Sequence, residues 1–157
     1  MNELAEKNAC DLLDADHIAV KHLFVEHARL AMAAPAESAA EREALAAKIC
    51  SELTVHAQIE EEIFYPALRE VIDEPELLDE AEAEHQEAKE LIAQIEAAEG
   101  GPAMDELVTQ LARAIEHHVK EERDHLFPKA RAAEGLDLDE LGARLRERQQ
   151  ELMGEEA

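Results

Sequence analysis

The chain has little of what builds sheets, disulfide scaffolds or membrane spans. Among 157 residues there is no Trp, one Tyr and three Phe, and aromatics amount to 3%. Five Gly and five Pro are too few for the frequent turns of a sandwich or barrel. Cys10 and Cys50 are the only cysteines, which excludes a disulfide framework. Basic residues are scarce: 15 Lys and Arg face 39 Asp and Glu, a formal net charge of -24. Such a chain lacks the Lys/Arg patches that grip nucleic acid or anionic membranes. No apolar run nears the roughly 18–20 residues of a spanning helix. The opening stretch from Met1 to Asp16 is acidic and has no apolar signal region. The expectation is a soluble, cytoplasmic protein with no nucleic-acid and no membrane partner.

Abundant instead are Ala, Glu, Leu and Arg, within a hydrophobic content of 46%. That composition, with few β-branched residues, favours helix. The length suggests one domain over residues 1–157, large enough to bury roughly 68–70% of the unfolded surface.

Punctuation divides the chain into helices. The first is expected from about Cys10 to Ala33, stopped ahead of Pro35. A second begins at Ser38, where Ser38 and Glu41 have capping-box spacing, and runs to Ile72. Asp73-Glu74-Pro75 opens a third, which ends at Gly100-Gly101. Pro102 opens a fourth, lasting to about Ala133. Asp137 to Glu140 is a second capping box, starting a short helix to Met153 and leaving Gly154–Ala157 as a frayed tail. Four long helices with short loops predict an all-α, up-down-up-down antiparallel four-helix bundle over about 10–134, with a short extra C-terminal helix over about 137–153. Pro66 and Pro128 fall inside the helical pattern, where each should kink its helix or loosen its last turns.

An internal repeat carries the chemistry. His56-x-x-x-Glu60 is followed by Phe64-Tyr65-Pro66, and His118-x-x-x-Glu122 by Leu126-Phe127-Pro128, at identical offsets on the second and fourth helices. Asp16-His17 with Lys21, and Glu84-His85 with Lys89, match each other on the first and third. The chain thus reads as two copies of a helix pair. Residues four apart share a helical face, so His56 with Glu60 and His118 with Glu122 can point inward, joined by His17 and His85. Glu61 and Glu121 turn away. Imidazoles and carboxylates buried at this density are costly unless paired or bound to metal. The set suits Zn, Cu, Fe or Ni, and non-heme iron where positions stay open.

These residues resemble the hemerythrin-like family, in its HHE cation-binding branch, along nearly the whole chain. The resemblance implies a four-helix bundle holding two iron ions: His17 and His56 on one, His85 and His118 on the other. Glu60 and Glu122 would bridge them, with an oxo or hydroxo group. Lys89 stands where the oxygen carriers have a second His, and Glu122 precedes by one residue the position of their Asp. The likeness is therefore to the non-carrier relatives, in oxidative or nitrosative stress. The function expected is a di-iron protein that binds, senses or handles oxygen, nitric oxide or peroxide. Alternatives are catalase-like peroxide decomposition, which would make it an enzyme, and an iron store, donor or buffer. The oligomeric state is left between monomer and homodimer.

Around that centre, Lys21 and Lys89 either donate to a bridging carboxylate or snorkel at the bundle edge. His125, three residues after Glu122, is expected beside that carboxylate or in plain packing, with a ligand role as the further alternative, since Glu-x-x-His is itself a di-iron bundle motif. Phe64 and Leu126, one layer below each Glu, would form an apolar floor. His117 belongs at the rim; His22 and His27 belong at the surface or edge, or supply a fifth imidazole; Cys10 and Cys50 belong in the core as small hydrophobes, with redox activity the alternative for Cys10. The C-terminal helix either caps the bundle or forms a dimer contact.

Overall fold

Asn8 starts the first helix, its side chain accepting the backbone N–H of Asp11 at 2.9 Å. The structure is a computed structural model that describes residues 8–156, with side chains through residue 154. The acidic opening stretch, for residues 1–7, and Ala157 of the expected tail lie outside the described residues. Helix α1 spans Ala9–Ala33 and α2 Ala39–Ile59, followed by a π-helical turn π1 at Glu60–Phe64 and helix α3 at Tyr65–Val71. Then come α4 at Pro75–Ala97, α5 at Gly101–Glu121, a second π turn π2 at Glu122–Leu126, α6 at Phe127–Ala132 and α7 at Leu138–Glu156. No strand occurs among the described residues. Helix α1 packs on α2 and α5, and α4 packs on α5 and α2, closing the four-helix bundle.

The two long helices expected to kink or loosen at the internal prolines are each divided in three. At both places the first residue after the π turn bonds five residues back: Tyr65 N–H to the Glu60 carbonyl, and Phe127 N–H to the Glu122 carbonyl. Proline has no N–H, and its ring collides with the carbonyl four residues back. A widened turn accommodates both defects. Pro66 and Pro128 sit in the opening turns of α3 and α6. The extra residue per turn rotates the downstream helix by roughly 100° relative to an uninterrupted α-helix, which matters for the site.

Other boundaries shift locally. Ser38 forms no capping bond; its hydroxyl donates to the Leu30 carbonyl at 3.2 Å and accepts from Arg42 Nε at 3.0 Å. It thus closes the end of α1 instead of the start of α2. Helix α4 ends at Ala97, short of the glycines, and Gly100 at φ 85° makes the reversal into α5. At α7 the Asp137 carboxylate does accept the Glu140 N–H at 3.0 Å, and the helix runs to Glu156, through most of the expected tail.

Two apolar clusters lie along the bundle. One contains Cys10, Leu13, Ile59, Phe64, Tyr65, Leu68, Leu78 and Phe127, and is closed by Leu141, Leu145 and Leu152 of α7. The other contains Val20, Ile49, Cys50, Ile92, Ile95 and Leu111. Helix α7 therefore packs inside its own chain, on α1, α2 and π1. Both cysteines are free and buried, and burial pushes the Cys10 and Cys50 thiols up to about 11. No helix among the described residues is long and apolar enough to cross a membrane.

Candidate metal centre

Between the two clusters lies a polar layer. His17 from α1, His56 from the end of α2, His85 from α4 and His118 from the end of α5 are 5–7% exposed, while Glu60 and Glu122, opening the two π turns, are fully buried. The six side chains that the repeat singles out all stand in this layer. They form two trios whose donor atoms lie within 4.8 Å of one another: His17, His56 and Glu122, and Glu60, His85 and His118.

The carboxylates join the trios. Glu60 Oε1 is 3.2 Å from His56 Nε2 and 3.0 Å from His85 Nε2. Glu122 Oε1 is 2.9 Å from His17 Nε2, and its Oε2 is 3.5 Å from His118 Nε2. Every imidazole thus turns Nε2 inward. Every Nδ1 faces outward to a further carboxylate: Asp14 for His17 at 3.3 Å, Asp16 for His56 at 3.0 Å, Glu61 for His85 at 2.9 Å and Glu84 for His118 at 2.7 Å. An Nδ1–H held this way fixes the tautomer and leaves the Nε2 lone pair for a metal. Of these acids only Glu61 carried an explicit expectation, that of turning away. It does turn from the centre, toward the back of His85. The recurring Asp16-His17 and Glu84-His85 dipeptides were the signal for two others. Each of that pair reaches across to the histidine of a neighbouring helix, not to the one beside it.

Electrostatics follow from this packing. Burial opposes a charge on His56, but the facing Glu60 carboxylate, together with the bond to Asp16, outweighs it and raises its pKa to about 10. Burial likewise opposes His118 and is outweighed by the Glu122 and Glu60 carboxylates, with the bond to Glu84, up to about 12. Glu60 resists burial through His56 and its bonded neighbours, and stays well below the usual carboxylate range. Protons on imidazole and metal ions compete for the same lone pairs.

Tyr65 is the residue sequence reasoning missed. Five residues past Glu60, it belongs on another face of an α-helix. The π turn stacks it directly after Glu60, and its hydroxyl donates to Glu122 Oε2 at 2.8 Å. The phenol oxygen also lies 3.2 Å from His85 Nε2 and 3.4 Å from His118 Nε2. Burial, then the charges of Glu122 and Glu60, push the phenol well above its ordinary pKa, so it keeps its proton. The aromatic-Pro recurrence was the available signal.

Phe64 is fully buried in the apolar cluster with Tyr65 and Phe127, its ring 6.0 Å from each of theirs. Two expectations change, for His125 and His27, and the two lysines take the edge position. His125 is turned outward, exposed, with Glu121 as its partner at 3.7 Å and no hydrogen bond or ion pair to Glu122. Lys89 pairs with Glu61 at 2.8 Å and Lys21 lies in an exposed groove on α1, so neither donates to a bridging carboxylate. His27 is buried, 3.6 Å from Asp105, at the far end of the bundle.

Whether these residues fit a metal can be judged from their unused atoms. Nε2 of His17 and His56, Glu60 Oε2 and Glu122 Oε1 are buried and make no hydrogen bond despite their close neighbours. Unpartnered donor atoms buried in two compact trios are what bound cations would satisfy. Four imidazoles and two carboxylates suit a pair of transition-metal cations.

The fold and this layer define a helical bundle built around a buried His/carboxylate cluster able to hold cations. Residues 8–130 match the model of the hemerythrin HHE cation binding domain, and the chain belongs to that family. The crystal structure of a hemerythrin HHE cation binding domain-containing protein from Mycobacterium kansasii is similar, with TM-score 0.76, 26% identity, and coverage of 95% of this chain and 89% of that one. A protein from Nostoc sp. described as a DNA nickase is 32% identical over 130 residues, 80% of this chain. The match spans only 34% of that protein's length.

Proposed function

We propose that this chain is a non-heme di-iron protein that binds or senses a small oxidant such as oxygen, nitric oxide or peroxide. One observation carries the reading. Four buried imidazoles present Nε2 to the same two carboxylates, while each Nδ1 is tied to a separate acid. His17, His56 and Glu122 would hold one ion and His85, His118 and Glu60 the other, with both carboxylates shared and Tyr65 offering a further oxygen. When bound, iron supplies redox chemistry and open positions for a small ligand. The chain's own residues do the rest. The outer acids orient the imidazoles, Phe127 and the apolar clusters exclude water, and Tyr65 holds a proton aimed at Glu122. The buried Tyr65–Glu122 pair favours peroxide decomposition as the second reading: one peroxide is reduced to two waters by the two electrons and two protons that a second gives up in becoming oxygen, and a phenol hydrogen-bonded to a carboxylate can relay those protons. The nickase name of one relative finds no support in a chain with 39 acidic and 15 basic residues.

Elemental analysis with an absorption spectrum tests this. Iron loading should give two ions per chain, near-ultraviolet and visible charge-transfer bands, and a raised melting temperature, because a ligand bound only to the folded state stabilises it. Metal-free protein with an unmoved melting temperature after loading with Fe(II) rejects it. Oxygen evolution from added peroxide separates turnover from binding.

A further inference from the structure

Helix α7 begins beyond residue 130, where the family match ends. Its apolar side is used in packing: Leu141, Leu145 and Leu152 are 4%, 0% and 7% exposed. Its polar contacts run toward the candidate metal centre. Gln149 Nε2 donates to Asp16 Oδ2 at 3.0 Å, and the same oxygen lies 3.0 Å from His56 Nδ1. One residue earlier, Arg148 Nε donates to Glu62 Oε1 at 2.9 Å. Glu62 lies in π1, the turn that carries Glu60 and Glu61.

The other three imidazole supports are completed within the matched domain. Asp14, behind His17, is held by Arg123 at 2.6 Å. Glu61, behind His85, is held by Lys89 at 2.8 Å. Glu84, behind His118, takes His117 at 3.0 Å. Only Asp16, among these four acids, is completed from α7. Its side chain is 25% exposed, so without a second donor it can rotate toward water and release the His56 ring.

We propose that Gln149 is a positioning residue for His56, and that α7 is a strap setting how tightly the His17–His56–Glu122 position holds its ion. This rests on the two-metal reading above. The amide fixes Asp16, Asp16 fixes the imidazole tautomer and direction, and the imidazole meets the metal. Loss of such an outer partner typically weakens a metal site by about 10–100-fold, and one further link out belongs at the lower end, about 10-fold.

Purified full-length protein loaded with Co(II) tests the strap by release to a chelator. In Gln149→Leu, one of the two ions should leave about 10-fold faster, with its ligand-field bands altered, while the other keeps its rate. Gln149→Lys, which retains a donor, should restore the slow phase. A merely structural helix would instead lower the melting temperature of the metal-free protein and speed both ions alike. Unchanged release, equal acceleration of both ions, or failure of Gln149→Lys to restore the rate overturns the proposal. If the wild type takes up no Co(II), the two-metal reading fails by itself. The strap is then decided on metal-free protein, where Gln149→Leu should move the His56 imidazole nitrogen resonances and leave those of His118 in place; unmoved His56 signals sink it.

Discussion

The two helix pairs offer the same inner residues and surround them differently. Tyr65 follows π1 and gives Glu122 a hydroxyl, at 2.8 Å; its counterpart Phe127 follows π2 and stacks on His17, with ring centroids 5.9 Å apart. Glu61 takes the Nδ1–H of His85 directly, whereas Arg123, at the matching place, reaches Asp14 and so supports His17 one step removed. Far from the centre, His27 and Arg42 of the first pair stand where the second pair has Ile95 and Met104. The repeated helix pair sets imidazoles and carboxylates at one spacing. Their unequal surroundings make two chemically distinct positions, one beside a phenol and one beside a phenyl ring.

The largest way to disturb this comparison is to remove a shared carboxylate. Glu122→Ala strips His17, His118 and Tyr65 of their common partner in a fully buried place. Leaving one side of a buried ionic cluster uncompensated costs about 3–5 kcal/mol, measured by denaturant unfolding of the metal-free protein. Glu60→Ala, which strips His56 and His85, should cost a similar amount. A loss below about 1 kcal/mol in both, the range of exposed pairs, would mean the layer is not the electrostatic knot described.

A finer test exchanges the two aromatics. Tyr65→Phe removes a hydrogen bond to a charged group, a loss of about 1.5–3 kcal/mol in the metal-free protein. Phe127→Tyr adds a buried hydroxyl with no acceptor built for it and should cost about 1–3 kcal/mol. The double exchange should therefore fall below the wild type. A double variant as stable as the wild type would show that the halves are interchangeable and the asymmetry incidental.

Much of this architecture is legible in the residues alone. The bundle follows from helical composition and sparse punctuation, and the meeting of His17, His56, Glu60, His85, His118 and Glu122 follows from four-residue spacing repeated twice. What spacing could not give was the π turn. An α-helical projection puts His125 near the Glu122 carboxylate and sends Tyr65 away; one extra residue per turn reverses both. The sequence marks the defect with Pro66 and Pro128, but a proline permits a kink, a frayed end or a widened turn, and only packing decides among them. The outer acids were obscured by composition, since in a chain with 39 acidic residues an Asp or Glu beside a histidine is unremarkable until it is seen to cross to another helix.

The smallest effect lies at the far end of the first pair. Burial lowers the pKa of His27, opposed by Asp105 and reinforced by Arg42. Arg42 is already committed to Asp105, Ser38 and the Pro35 carbonyl, so a proton on His27 adds a second cation to a buried place with one carboxylate. Below the ordinary histidine value near 6.5, the unfolded chain takes up a proton that the folded chain resists. Stability contributed by neutral His27 is therefore full above that pH and falls as pH drops toward the lowered folded value. His27→Ile, which imports the counterpart residue Ile95, removes the titration while keeping a buried side chain. Unfolding of metal-free protein from pH 7.5 to 5 should show the stability of His27→Ile gaining on that of the wild type as pH falls, whatever slope His56 and His118 give to both. Parallel pH profiles would place the pH sensitivity wholly elsewhere, and would mean that the polar and apolar far ends differ in composition without differing in proton linkage.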